Sequence, residues 1–177
     1  MEDFEQDLHM VVHSLTDTIV EADRFVKTLS NSPMIIPALA NKSPQNVRHA
    51  NAFLDACGNT LPKSVCYLMD LQGLTIASSN RDHPDSFLGE SYAFRPYFQQ
   101  AIQGSAGRYV ALGITSKELG YYASFPVRDE ADRIIGAAVI KRALSDLNSL
   151  IHQHHLGLII DQHGIVVLAN RSDMILR

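Results

Sequence analysis

Apolar or small residues recur through the first thirty positions in alternating steps of four and three: Phe4, Leu8, Val11, Leu15, Thr18, Ala22, Phe25 and Leu29. An α-helix puts such a series on one face, so the segment predicts a single long helix with an apolar seam, widened by Val12, Ile19 and Val26. Glu and Asp fall on the other faces, and Ser30-Asn31-Ser32-Pro33 ends the run. The seam has to be covered. Two covers fit the pattern: the same stripe on a second copy, as in a coiled coil, or the domain that follows.

A second helix is predicted over 44–56, where Val47, Ala50, Phe53, Leu54 and Cys57 keep helical spacing and Gly58 stands at the C-cap position. Beyond it the texture changes. Residues 64–69 are β-branched and aromatic, Asp70-Leu71-Gln72-Gly73 is a turn, and 74–78 is a second strand, together a hairpin signature. A polar loop over 79–84 precedes a short helix over 94–102, in whose first turn Pro96 is tolerated. Three strands (108–112, 121–127 and 133–140) and a helix over about 144–152 complete the pattern. The order describes an α+β fold: a long helix, then a PAS-like antiparallel sheet with a pocket between its central strands and the intervening short helix.

A final predicted hairpin, 156–160 and 165–169 around Asp161-Gln162-His163-Gly164, echoes the first. In both, an apolar strand meets Asp-x-x-Gly and a second apolar strand ends in small polar residues. The expected organisation is therefore a stalk helix (1–31), a complete domain (32–153) and the beginning of a second, incomplete unit of the same type (154–177).

Bulk properties narrow the function. The chain has 177 residues and a formal charge of −4, which argues against a nucleic-acid partner. No run approaches the roughly 18 apolar residues that span a bilayer. Met1 is followed by acidic Glu2, Asp3, Glu5 and Asp7 rather than a basic leader, and the chain is expected to be an excised piece of a larger protein. Cys57 and Cys66 fit either a disulfide or free thiols, and their spacing matches no metal motif. No nucleophile elbow, phosphate loop or dinucleotide fingerprint is present, so no catalytic residue, metal or cofactor is expected. His9 and His13, four apart on the first helix, read as a solvated face with Asp17 beyond them. His152, His154 and His155 read as a polar linker.

One stretch carries ligand chemistry, Ser91-Tyr92-Ala93-Phe94-Arg95-Pro96-Tyr97-Phe98. An arginine among aromatics presents a rigid fork of donors that matches a carboxylate, and Tyr92 and Ser91 can add hydroxyls. Spacing alone equally fits an arginine paired with Glu90 or Asp85 amid plain core aromatics.

This segment, together with 104–116, with Gly120-Tyr121-Tyr122-Ala123-Ser124-Phe125-Pro126-Val127 and with 134–141, resembles the periplasmic sensor of C4-dicarboxylate-sensing histidine kinases. The likeness covers about residues 64–170. It implies a Cache (PDC) sensor domain, membrane-anchored in its parent protein, homodimeric through its first helix and non-catalytic. It further implies a pocket in which Ser91, Tyr92 and Arg95, with Thr115 nearby, hold one carboxylate of a small ligand and Lys141 receives the other. Lys141 is followed by Arg142, and strand alternation sends the two to opposite faces. Tyr122 and Phe125 are placed either as walls of the ligand's apolar middle or as ordinary core. Two other functions remain beside this one: a relay module that binds nothing, and a Cache sensor for another organic acid or an amino acid on a diguanylate cyclase or chemoreceptor.

Overall fold

The computed structural model describes residues 2–116, 118–153, 158–160 and 166–169. The elements run α1 (Glu2–Ser30), α2 (Ile36–Asn41), α3 (Pro44–Thr60), β1 (Ser64–Met69), β2 (Thr75–Ser78), α4 (Pro96–Ile102), β3 (Gly107–Leu112), β4 (Leu119–Arg128), β5 (Ile134–Ala143), α5 (Ser145–Gln153), β6 (Leu158–Ile160) and β7 (Val166–Ala169). The first five strands form one antiparallel sheet in the order β2-β1-β5-β4-β3. The expected α+β architecture is the one observed.

The sheet separates two apolar layers. On one face α1, α2 and α3 cover Cys66, Leu68, Tyr121, Ala123, Val127, Ala138 and Ile140, and Leu147 and Ile151 of α5 join the same apolar cluster beside α1. On the other face α4 and the long β2–α4 connection cover Tyr67, Met69, Tyr122, Ala137 and Val139. Period-two alternation sorts the strands between these layers. The domain itself covers much of the α1 seam: Val11, Ala22, Val26 and Leu29 are buried, with Leu15, Ile19 and Phe25 packed against them. Toward the N-terminal end Leu8, Met10 and Val12 are exposed, as is Val20 further along.

Local chemistry accounts for most boundaries. Ser43 caps α3 by accepting the Asn46 N–H at 3.2 Å, and Pro44 opens the helix. The helix runs through Gly58 to Thr60 rather than stopping there, and the glycine sits where a Cβ would fall 3.2 Å from Ser79 Oγ. Sequence patterning did not reveal α2. It has six residues, and its left-handed C-cap is Lys42 rather than glycine or asparagine.

Cys57 and Cys66 are free thiols, and burial pushes the Cys66 thiol up to about 12. The last hairpin is present as the antiparallel pair β6–β7, with α5 packed on β7. Its turn, Asp161-Gln162-His163-Gly164, lies outside the described residues, as do His154, His155 and the chain beyond 169.

Candidate ligand-binding site

The site is assembled from the β1–β2 turn outward. Asp70 Oδ1 accepts the N–H groups of Gln72 and Leu74 at 3.0 Å each, and Asp70 Oδ2 accepts from Lys42 Nζ at 2.6 Å. Burial pushes the Asp70 carboxyl up, but Lys42 and the two N–H donors outweigh it and hold it below its ordinary value. This turn delivers Gly73 at φ +79°, where a Cβ would fall 2.6 Å from the Ala93 backbone. The close approach lets Tyr92 N donate to Gly73 O at 2.9 Å and lets Leu74 bridge Ser91, so the β2–α4 connection lies back against the sheet. Asn80 fixes the same connection further out: its Oδ1 accepts from the Phe87 N–H and from Ser78 Oγ, which seats Phe87 in the core.

Arg95 does not lie within a helix. It is the extended residue before α4, which Pro96 opens, and its N–H closes a turn onto Tyr92 O at 2.9 Å. That turn brings Tyr92 and Arg95 to one place. They line a narrow cavity with Tyr67, Phe87, Tyr97, Tyr122 and the turn residues Gly113, Ile114 and Thr115. Tyr97 and Tyr122 stack at 5.2 Å, and the Tyr67 and Tyr97 hydroxyls are 2.9 Å apart. Burial pushes these phenols upward, Tyr122 to about 12, so they act as neutral hydrogen-bonding groups. The cavity volume is about 10 Å³, room for roughly one water.

The donors of the site all close on the β3–β4 turn. Arg95 Nη2 donates to Leu112 O at 3.3 Å, Tyr92 Oη lies 2.9 Å from Thr115 Oγ1, and Lys141 Nζ donates to Ser116 Oγ at 2.6 Å. Tight packing shapes that turn, since a Cβ on Gly113 would overlap Ser116 Oγ and approach Tyr122 Oη.

Lys141 is the cation that faces this layer. It sits opposite Tyr122 across the β4–β5 ladder, is only 4% exposed, and holds its ammonium 5.8 Å from the centre of the Phe87 ring. It lies beside the cavity rather than in its lining. Burial lowers its pKa, with the carboxylates of Glu118 and Asp85 pulling the other way. Arg142 points to the α1 face, 3.3 Å from Glu21. Arg95 pairs with neither Glu90 nor Asp85; its guanidinium lies over the rings of Phe94 and Tyr109, 5.1 and 6.0 Å from their centres. Among the described residues it has no carboxylate partner.

Two expected site residues lie elsewhere. Ser91 is exposed, its backbone bridges to Leu74, and it does not line the cavity. Phe125 is three residues from Tyr122, an odd strand offset that places it on the opposite face, against the α1-side core with Lys27 Nζ 5.9 Å from its ring centre. Tyr122, Tyr92, Arg95 and Thr115 do meet. Tyr67, Tyr97 and Phe87 were not anticipated as lining; the strand alternation of Tyr67 pointed to this face, whereas nothing in the segment after the polar loop marked Phe87.

The long N-terminal helix and the five-stranded antiparallel sheet give the chain the Cache (PDC)-type fold of sensor domains. No family model matches the chain. Its particular kinship is with the C4-dicarboxylate transport sensor proteins called DctB. The chain is 34% identical over 170 residues to the Pseudomonas aeruginosa protein, an alignment that takes in 95% of this chain and 28% of that protein. With the Rhizobium meliloti protein it shares 33% identity over 112 residues, 63% of this chain and 18% of the relative. The crystal structure of the sensor domain of the V. cholerae histidine kinase DctB superposes with a TM-score of 0.84 at 28% identity, covering 97% of this chain and 67% of that one. The chain thus spans under a third of the curated relatives it matches. Among the described residues no helix is long and apolar enough to cross a membrane.

Proposed function

We propose that the chain is the extracytoplasmic sensor part of a membrane-anchored histidine kinase and that its cavity receives a C4-dicarboxylate. One carboxylate engages Arg95, Tyr92 and Thr115; the other engages Lys141. The observation that carries the reading is Arg95, whose fork has no acidic partner among the described residues, on the same side of the sheet as the buried ammonium of Lys141. A dianion of about four carbons needs two cations held apart on separate elements, and these two come from the start of α4 and the end of β5. The relatives, C4-dicarboxylate transport sensor proteins and a histidine kinase, agree with that chemistry.

Each charge-assisted contact contributes roughly 1.5–3 kcal/mol, enough for micromolar-to-millimolar affinity after the costs of binding. The cavity is too small for such a guest as it stands. Entry therefore moves the β3–β4 turn, and the ligand's oxygens replace Leu112 O, Thr115 Oγ1 and Ser116 Oγ as partners of the three donors. The energy available to shift the domain is the difference in ligand affinity between the two states.

The organisation proposed with this function is a stalk helix (1–31), a ligand-binding domain (32–153) that binds without catalysis, and the first hairpin of a second Cache unit (154–177). The exposed Leu8 and Val12, one turn apart on α1, support pairing of two copies along the helix.

Calorimetric titration of succinate into the wild type and Arg95→Ala tests the reading. The wild type is expected to bind and R95A to lose at least tenfold in affinity. Absence of heat in both proteins contradicts it and favours a relay module that binds no ligand.

A further inference from the structure

Glu118 stands one residue before β4, at the end of the turn that roofs the cavity, and its own carbonyl accepts the Gly113 N–H at 2.8 Å. Its carboxylate Oε2 lies 3.7 Å from Lys141 Nζ, and the glutamate side chain is 64% exposed against 5% for the lysine. The ammonium is thus buried on one side by Phe87 and β5, bonded to Ser116 at 2.6 Å, and compensated chiefly by the Glu118 carboxylate, which reaches it from solvent, with Asp85 adding a lesser attraction. A buried ammonium needs an anion. Glu118 supplies one at long range and from an exposed position, a weak contact that is readily displaced.

We propose that Glu118 is a specificity-determining residue, an internal stand-in that competes with the ligand's second carboxylate for Lys141. The inference rests on the dicarboxylate reading above and deepens it. A dianion anchored at Arg95 brings a second carboxylate to Lys141 and can exchange with Glu118, which swings into water. A monoanion anchored at Arg95 has nothing to offer Lys141, so the Glu118 contact persists and affects its binding little. A guest that arrived while Glu118 stayed would place two carboxylates beside one ammonium. Glu118 therefore lowers affinity for dianions, sets the concentration at which they register, and leaves monoanions untouched.

An exposed ion pair of this kind corresponds to a factor of about three to five in affinity. The test compares wild type, Glu118→Gln and Glu130→Gln by calorimetry with succinate, and with butyrate measured in competition against succinate. Glu130 is exposed in the turn at the far end of β4 and β5, so E130Q removes the same formal charge away from the site. E118Q is expected to bind succinate about three- to fivefold more tightly, with butyrate unchanged and E130Q like the wild type for both. Unchanged or weaker succinate binding in E118Q overturns the inference, as does an equal gain for butyrate or in E130Q. If none of the three proteins takes up succinate, the functional reading itself fails and this inference falls with it.

Discussion

Lys141 holds its ammonium where water hardly reaches it, with a serine hydroxyl as its close partner and a carboxylate at 3.7 Å. Burial of a charge costs stability that an apolar side chain of similar volume does not. Lys141→Met is accordingly expected to abolish succinate binding while leaving the melting temperature unchanged or higher, measured by calorimetry and thermal denaturation. A clear loss of stability would mean that the lysine serves the fold rather than a ligand. At this scale the sequence was informative about residue type and less so about direction. The aromatic setting of Arg95 was legible, but its partner was not, because whether Glu90 or Asp85 reaches it depends on the path of the β2–α4 connection. Tyr122 and Phe125 differ by an odd number on one strand, so only one of them can face the cavity, and spacing does not say which. Ser91 sat beside Tyr92 in sequence, yet its exposure follows from the bridge to Leu74, a contact between distant segments.

Among the elements, α1 and the sheet are joined by more than apolar packing. Asp23 Oδ2 accepts from Arg108 Nε at 2.6 Å and Asp23 Oδ1 accepts from the Tyr121 hydroxyl at 2.7 Å, which ties the helix to β3 and β4. Glu21 faces Arg142 of β5. The cross-strand pair Tyr121–Arg142 thus grips α1 on one face of the sheet, while its neighbours Tyr122 and Lys141 form the site on the other. Asp23→Ala leaves the buried Tyr121 hydroxyl without its partner and is expected to cost about 1–2 kcal/mol, read by chemical denaturation, with faster amide exchange in α1. Unaltered stability and exchange would show that the helix is held by its apolar stripe alone. The stripe was plain from the four-three spacing of Val11, Leu15, Ala22 and Leu29; its cover was not, since period says only that a face is apolar. The short α2 escaped notice because a left-handed lysine closes it.

For the whole molecule, the strand order β2-β1-β5-β4-β3 places the hairpin β1–β2 at one edge and β3 at the other, with β5 and β4 inside. The run of alternating strands in the sequence made the antiparallel sheet legible. The pairing of β1 with β5, nearly seventy residues later, follows from closure of the fold and not from any local signal. That pairing brings Lys141 level with Val65 and Tyr122, and so beside the turn that Arg95 and Tyr92 also hold. The most direct measurement is a crystal structure of the domain grown with succinate. One carboxylate is expected on Arg95, Tyr92 and Thr115 and the other on Lys141 in place of Glu118, with residues 113–116 moved outward. Succinate bound elsewhere, with Arg95 still on Leu112 O and Lys141 still on Ser116, would contradict that placement.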